Sequence, residues 1–367
     1  MGHAFLHVLT ANISVQEGLT GLGKIKVVQY GLGPVGLEIV EALLTRPWAE
    51  LVGAIDMDAD KADKDVGQFL KTARQTGITV SKHPDDALSR TNPDVVTHAT
   101  SSEMQTIYSQ LVKMLEHEVN IISTAEELTY PFVKYPEAAQ KLDDLAKSKK
   151  KVVLGTGVNP GFLLDTLPVV LSGVCQQVTS IRAERVVDAA RMSLPFQRKI
   201  GVGLTTLEFE RRVADASVKH VGLPESVGLI ALAMGWKVGE IQERITPIVA
   251  EKNLENGLLK VQAGLVAGIR QVAKGILAGQ ELVVLDLRMY IDAQNPHDSI
   301  LIEGVPPIDL TIKGGVQGDR ATPAVVVNSI PRLESLKPGL RTVIDLPPPS
   351  ARLNLIEEDR SVMLKTF

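Results

Sequence analysis

The sequence contains one cysteine, Cys175, in 367 residues. A lone thiol cannot form an intramolecular disulfide framework or a multi-cysteine zinc or iron–sulfur site, and we expect no metal. It fits a reducing, cytoplasmic setting. There is no basic excess either: 39 Lys and Arg stand against 43 Asp and Glu, a net charge of −4. A chain without a positive field is a poor candidate for binding nucleic acid or an anionic membrane surface. No apolar run approaches the ~18–20 residues of a membrane span. The richest stretches, around 160–174 and 228–235, are interrupted by Asp165, Pro168 or glycine. The opening residues lack a basic region and a small-residue cleavage site, so 1–24 reads as an irregular extension. Aromatic residues make up only 4%, but 44% hydrophobic content over this length suffices for a large core and two or three domains.

Regular structure starts at Lys24. Short β-branched runs at 24–30, 50–56, 77–80, 94–100, 120–124 and 151–156 alternate with helical periods at 34–44, 85–90, 104–117 and 136–149. Near-continuous apolar strands separated by helices predict an α/β fold with a doubly wound parallel sheet. After Gly157 the pattern changes. A helix is expected over 160–173, a strand over 177–188, and helices over 205–214 and 224–235. Then period-two alternation appears: Leu285, Leu287, Met289 and Ile291 oppose Asp286, Arg288, Tyr290 and Asp292. Ile308, Leu310 and Ile312 likewise oppose Asp309, Thr311 and Lys313. One wet and one dry face predict an antiparallel sheet in an α+β second domain.

The first strand runs into YGLGPVG, where Gly31, Gly33 and Gly36 have G-x-G-x-x-G spacing around Pro34 and Val35. A helix follows, then a second strand ending in Asp56, 20 residues beyond Gly36. That is the context a dinucleotide fingerprint requires. Gly31 permits the turn, Gly33 lets the backbone approach a pyrophosphate, and Gly36 allows close helix–strand packing. The helix start favours phosphate charge. Asp56 is placed to accept from ribose hydroxyls, which favours NAD. The next residue, Met57, is not the arginine that clamps a 2′-phosphate, but Lys61 and Lys64 keep NADP open.

In such sheets ligands bind beyond the strand carboxyl ends. Thr100 and Ser101 end the fourth strand and suit either cofactor contacts or a helix cap. His98, inside that strand, reads as a satisfied core histidine. Glu126 and Glu127 follow the fifth strand, as proton-handling groups or as acids in a first helical turn. Asn159, in GTGVNPG, is placed to orient a nicotinamide carboxamide or a substrate.

The set YGLGPVG, AID, DVVTHATSS, IISTAEELTYP, GTGVNPGF and HVGLPES resembles native amine dehydrogenases and the related 2,4-diaminopentanoate dehydrogenases, within the dihydrodipicolinate-reductase-like group. The likeness spans about 25–345. It implies a Rossmann domain over 25–156, a substrate-binding and dimerisation domain over 157–322, and a segment over 323–367 returning to the first. It also implies a homodimer and the NAD(P)-dependent interconversion of an amine with a ketone or aldehyde plus ammonia. The acid of the EEL segment carries over to Glu126, with Glu127 as the fallback. The HVGLPES and RMSLPFQRK stretches offer His220, Arg191, Arg198 and Lys199 as substrate-pocket candidates. The cations have a solvated or interface patch as their plain alternative. The segment from Gly318 adds Thr322 and Asn328. Reductases of the diacid type carry a His-His pair, which is absent. The rival functions are a diamino-acid dehydrogenase and a non-catalytic NAD-binding regulator.

Overall fold

The computed structural model describes residues 24–255 and 258–351. Most of the expected N-terminal extension and the end of the returning segment therefore lie outside the described residues.

The chain proceeds through β1 (Ile25–Tyr30), α1 (Pro34–Leu43), β2 (Ala49–Ile55), β3 (Val80–Ser81), α2 (Pro84–Thr91), β4 (Val95–His98), α3 (Met104–Glu116), β5 (Asn120–Ser123), α4 (Pro136–Ser148) and β6 (Val152–Gly155). There follow α5 (Thr166–Ser172), β7 (Gln177–Asp188), α6 (Leu194–Lys199), α7 (Thr206–Ala214), α8 (Leu223–Met234), β8 (Glu240–Val249), β9 (Val266–Leu277), β10 (Gln280–Tyr290), β11 (His297–Val305), β12 (Ile308–Lys313), α9 (Gly318–Ser329) and β13 (Gly339–Arg341).

The first sheet is parallel, in the order β13-β6-β5-β4-β1-β2-β3. Strand order reverses at β1, between β4 and β2, and this opens a crevice at the strand carboxyl ends. Val27, Val28, Val96, Ile121, Ile122 and Val153 are buried, as the unbroken apolar runs require. Helix α9 packs on α1: Val326 and Val327, with Ile330 just past the helix end, share a buried cluster with Ile39 and Leu43. From there β13 joins the sheet edge beside β6, with Leu340 N donating to Asp143 Oδ1 at 2.9 Å.

The second sheet runs β12-β11-β7-β10-β9-β8. The alternation in β10 is real: Leu285, Leu287 and Met289 are buried, while Asp286 faces the other way and receives Arg270 and Arg288. One pair departs from the antiparallel expectation, because β7 and β10 run parallel. Periodicity reports which face is dry and carries no information about a neighbour's direction.

The helix expected over 160–173 forms only as α5, from Thr166. A close backbone approach prevents an earlier start. Gly161 has φ +124°, and a Cβ there would sit 2.4 Å from Gly157 N. Asp165 ties the turn together, accepting from Thr166 N at 2.6 Å, Gly161 N at 2.8 Å and Ser226 Oγ at 2.7 Å. The last of these bonds anchors α8. That helix bridges the cores: Val227 and Ile230 join the second sheet's core, and Leu229 joins the first. Among the described residues no helix is long and apolar enough to cross a membrane.

Candidate active site

The loop after β1 is shaped by two glycines. Gly31 has φ +93°, and a Cβ there would meet Ala99 O at 2.4 Å; one on Gly36 would meet Gly31 O at 1.9 Å. Gly33 differs, because a Cβ there would find no atom within 4 Å. Gly33 is the N-cap of α1, and no side chain caps that helix start. The loop therefore presents an open backbone face where a helix dipole favours anions. Asp56 closes the loop from β2. Its Oδ2 accepts from Leu32 N at 2.6 Å, its Oδ1 accepts from Asp58 N at 2.8 Å, and Lys61 Nζ lies 3.3 Å away. Met57 is exposed.

A cavity of about 510 Å³ runs from the first turn of α1, just past this loop, to the second sheet; Gly31, Gly33 and Asp56 are not themselves on its wall. Pro34 and Val35 line it from α1, Glu126 from the turn after β5, Asn159 from the loop after β6, Lys199 from α6, and His220 from the approach to α8. Met192, Phe196, Leu287 and Met289 supply an apolar wall, and Thr322 contributes from α9.

Glu126 sits where the two units meet: a Cβ on Gly222, the N-cap of α8, would lie 3.1 Å from Glu126 Cβ. Burial pushes the Glu126 carboxyl above the usual carboxylate range, opposed by the Lys199 charge and by a hydrogen bond from Ser102. Glu127 is employed differently. It is buried, its Oε2 accepts from Met104 N at 2.8 Å, and its Oε1 lies 3.4 Å from Lys134 Nζ. Glu127 therefore serves the start of α3 and is not on the cavity wall. Lys134 also forms an ion pair with buried Glu225 at 3.0 Å.

On the cavity wall, both polar atoms of the Asn159 amide are buried without a partner among the described residues. Beside it, Val158 N donates to Thr322 Oγ1 at 3.1 Å. His220 Nδ1 is likewise buried with no partner among the described residues. Burial chiefly, then the Lys199 and Arg185 charges, bring its pKa down to about 3, so the ring is neutral near pH 7. Arg185 also touches the cavity, but its guanidinium is committed to Asp298 Oδ1 and Val316 O, each at 2.7 Å.

The structure leaves other candidates elsewhere. Neither Thr100 nor Ser101 is on the cavity wall. Thr100 Oγ1 contacts Gln110 Oε1 at 2.7 Å, and Ser101 Oγ accepts from Glu103 N at 3.4 Å. The expectation that one of them caps α3 is corrected by Glu127, which reaches Met104 N from a distant turn. Asn328 accepts from Arg46 at 3.3 Å and ties α9 to α1. Arg198 is exposed and off the wall. Arg191 ends a short turn, Ala189–Arg191, and its side chain lies outside the described residues. Sequence reasoning missed Ser102, one residue past its chosen pair, and the apolar wall formed by Met192 and Phe196. Only the dry-face alternation of Leu287 and Met289 signalled that wall.

His98 is the core histidine expected. It is fully buried, its Nδ1 lies 2.8 Å from Ser123 Oγ, and its Nε2 lies 2.7 Å from Gln110 Oε1. Burial lowers its pKa to about 4. The unfolded chain takes up this proton near pH 6.5 and the folded protein does not, so stability contributed at neutral pH is lost as pH falls from 6.5 toward 4. The loss is ~3 kcal/mol at most. Urea titrations of wild type and His98→Gln at pH 7 and 4.5 isolate it, with the variant showing the shallower pH dependence.

A family model described as the 2,4-diaminopentanoate dehydrogenase C-terminal domain matches residues 162–362, and one described as the dihydrodipicolinate reductase N-terminus matches residues 25–130. The chain is 32% identical over 359 residues to a 2,4-diaminopentanoate dehydrogenase from Acetoanaerobium sticklandii, covering 93% of this chain and 99% of that one. It is 23% identical over 350 residues to an amine dehydrogenase from Streptomyces virginiae, covering 88% and 96%. The solved amine dehydrogenase from Mycobacterium smegmatis superimposes with a TM-score of 0.81 at 25% identity, covering 90% of this chain and 98% of that one.

Proposed function

The chain belongs to the 2,4-diaminopentanoate dehydrogenase family, and from that premise we propose that it is an NAD(P)-dependent amine dehydrogenase. It interconverts an amine with a ketone or aldehyde plus ammonia. One observation carries this: Glu126, its proton affinity raised by burial, shares a cavity with Pro34 and Val35, the first residues of α1 directly after the glycine loop.

The residues fit a nicotinamide dinucleotide. The uncapped start of α1 and the unfilled space at Gly33 suit a pyrophosphate, with Gly31 and Gly36 holding the loop and Asp56 at hand for a ribose. A carboxylate there disfavours a 2′-phosphate, while Lys61 beside it offsets part of that repulsion, so NAD is preferred and NADP is accepted. The chemistry a nicotinamide supplies when bound is hydride transfer at the substrate carbon. Glu126 does the proton work. In amination it takes a proton from nitrogen as ammonia adds to the carbonyl, and it delivers one to the departing hydroxyl. In deamination it activates the hydrolytic water. Among the described residues the Asn159 amide has no partner at either end, which leaves both ends to orient a bound group. Met192, Phe196, Leu287 and Met289 exclude water and hold the carbon skeleton.

The test is NADH oxidation that requires both a ketone and ammonia, with the reverse reaction followed on amines at alkaline pH. NADH binding without turnover across simple ketones, diamines and diamino acids would instead identify a non-catalytic NAD-binding regulator. We further propose a cytoplasmic homodimer, checked by a mass in solution twice that of the chain.

A further inference from the structure

Among the described residues three Lys or Arg side chains line the cavity, and two are committed. Lys71 is paired with Glu38, and Arg185 with Asp298. The third, Lys199 at the end of α6, has no ion pair or hydrogen bond among the described residues. It interacts electrostatically with Glu126 and His220. A lysine in the last turn of a helix is often only a partner for the helix dipole. Here its side chain is exposed but lines the cavity that Glu126 lines, whose wall mixes polar groups with the apolar side chains of Met192, Phe196, Leu287 and Met289. The carboxylates there are mostly occupied: Glu38 by Lys71, Glu41 by Thr72, and Asp319 by Arg320 N at 3.1 Å. Among the described residues the cavity thus offers one proton-handling acid, one uncommitted cation and apolar surface, together with the free polar atoms of Asn159 and His220. That set complements an amine whose carbon skeleton also bears an anion.

We infer that Lys199 is the specificity-determining residue that reads a substrate carboxylate, so that the enzyme selects amino acids over amines lacking one. This rests on the amine dehydrogenase reading. Charge-assisted hydrogen bonds are among the stronger ones. Neutral His220 and Asn159 can add hydrogen bonds to the same group but no charge.

The test compares 2,4-diaminopentanoate with pentane-2,4-diamine, in which a methyl replaces the carboxylate. In the wild type the ratio of kcat/KM favours the diamino acid. In Lys199→Met that ratio collapses about 10- to 100-fold, chiefly through KM. Lys199→Arg restores most of it. Any effect of Lys199 through Glu126 moves the acid limb of the pH profile for both substrates and cancels in the ratio. An unchanged ratio in Lys199→Met, or a wild type that does not distinguish the two substrates, overturns the inference and leaves the dehydrogenase reading standing. Turnover of neither substrate overturns the dehydrogenase reading instead. The Kd of 2,4-diaminopentanoate for the NADH complex, measured by calorimetry, then decides Lys199: a loss of the same size in Lys199→Met supports it, and no loss refutes it.

Discussion

Glu126→Gln is expected to lower kcat by ~10²–10⁴-fold, the usual worth of a positioned acid–base group, while NADH binds as in the wild type. Glutamine keeps the shape and can still accept from Ser102, so the loss reports proton transfer and not packing. The pH profile gives a second readout. Amination needs the carboxylate form, and burial holds the Glu126 pKa above the ordinary carboxylate range. Activity of the wild type therefore rises with pH through that raised value, and the residual activity of the variant has no such limb. Stability moves the opposite way. Because the folded pKa is raised, the folded state keeps its proton to higher pH than the unfolded chain, and wild-type stability falls across that window as pH rises. Glu126→Gln removes this cost. We expect a variant at least as stable as wild type at pH 7, with its urea midpoint unshifted or raised. Retained turnover, or a clear drop in midpoint, would remove Glu126 from the role.

The two glutamates also mark the boundary of what the sequence can tell. Nothing in their spacing separates Glu126 from Glu127, since both sit in one short turn, Glu126–Leu128. The structure separates them through contacts distant along the chain. Met104 N and Lys134 engage Glu127, whereas Gly222 and Lys199 surround Glu126. The parallel sheet was legible because its inner strands β4, β5 and β6 are buried almost throughout and so write apolar runs, whereas the short edge strand β13 left no such signal. The glycine loop was legible because its demands are local and steric. The parallel pairing of β7 with β10 was not, since strand direction depends on the connections between α6 and β9. The late start of α5 was hidden too: the residues before it favour a helix until Gly157 and Gly161 meet. The cavity wall is the extreme case, drawing on α1, the turn after β5, α6 and β10 at once.

The glycines of the first loop should separate packing from cofactor binding. At Gly36 a Cβ would lie 1.9 Å from Gly31 O and 3.0 Å from Gln29 Nε2. Gln29 is fully buried beneath the loop, donating to Gly31 O at 2.8 Å while Thr97 donates to its Oε1 at 2.7 Å. A backbone carbonyl cannot swing aside as a flexible side chain would. Gly36→Ala must therefore push α1 off the loop and weaken the Gln29 bond, a cost of ~1–3 kcal/mol or more of the overpacking kind. At Gly33 the backbone is ordinary, with φ −69°, and the Cβ space is empty. Gly33→Ala should fold with an unchanged Tm. If the empty face receives a pyrophosphate, the added methyl obstructs the approach and raises the Kd for NADH by roughly tenfold to a hundredfold. The expected pattern is thus a lower Tm for Gly36→Ala, and a normal Tm with weakened NADH binding for Gly33→Ala. Calorimetry and fluorescence titration of the two proteins side by side measure it. Tight NADH binding by Gly33→Ala would mean that the cofactor does not approach the start of α1, and the role assigned to this loop would have to be abandoned.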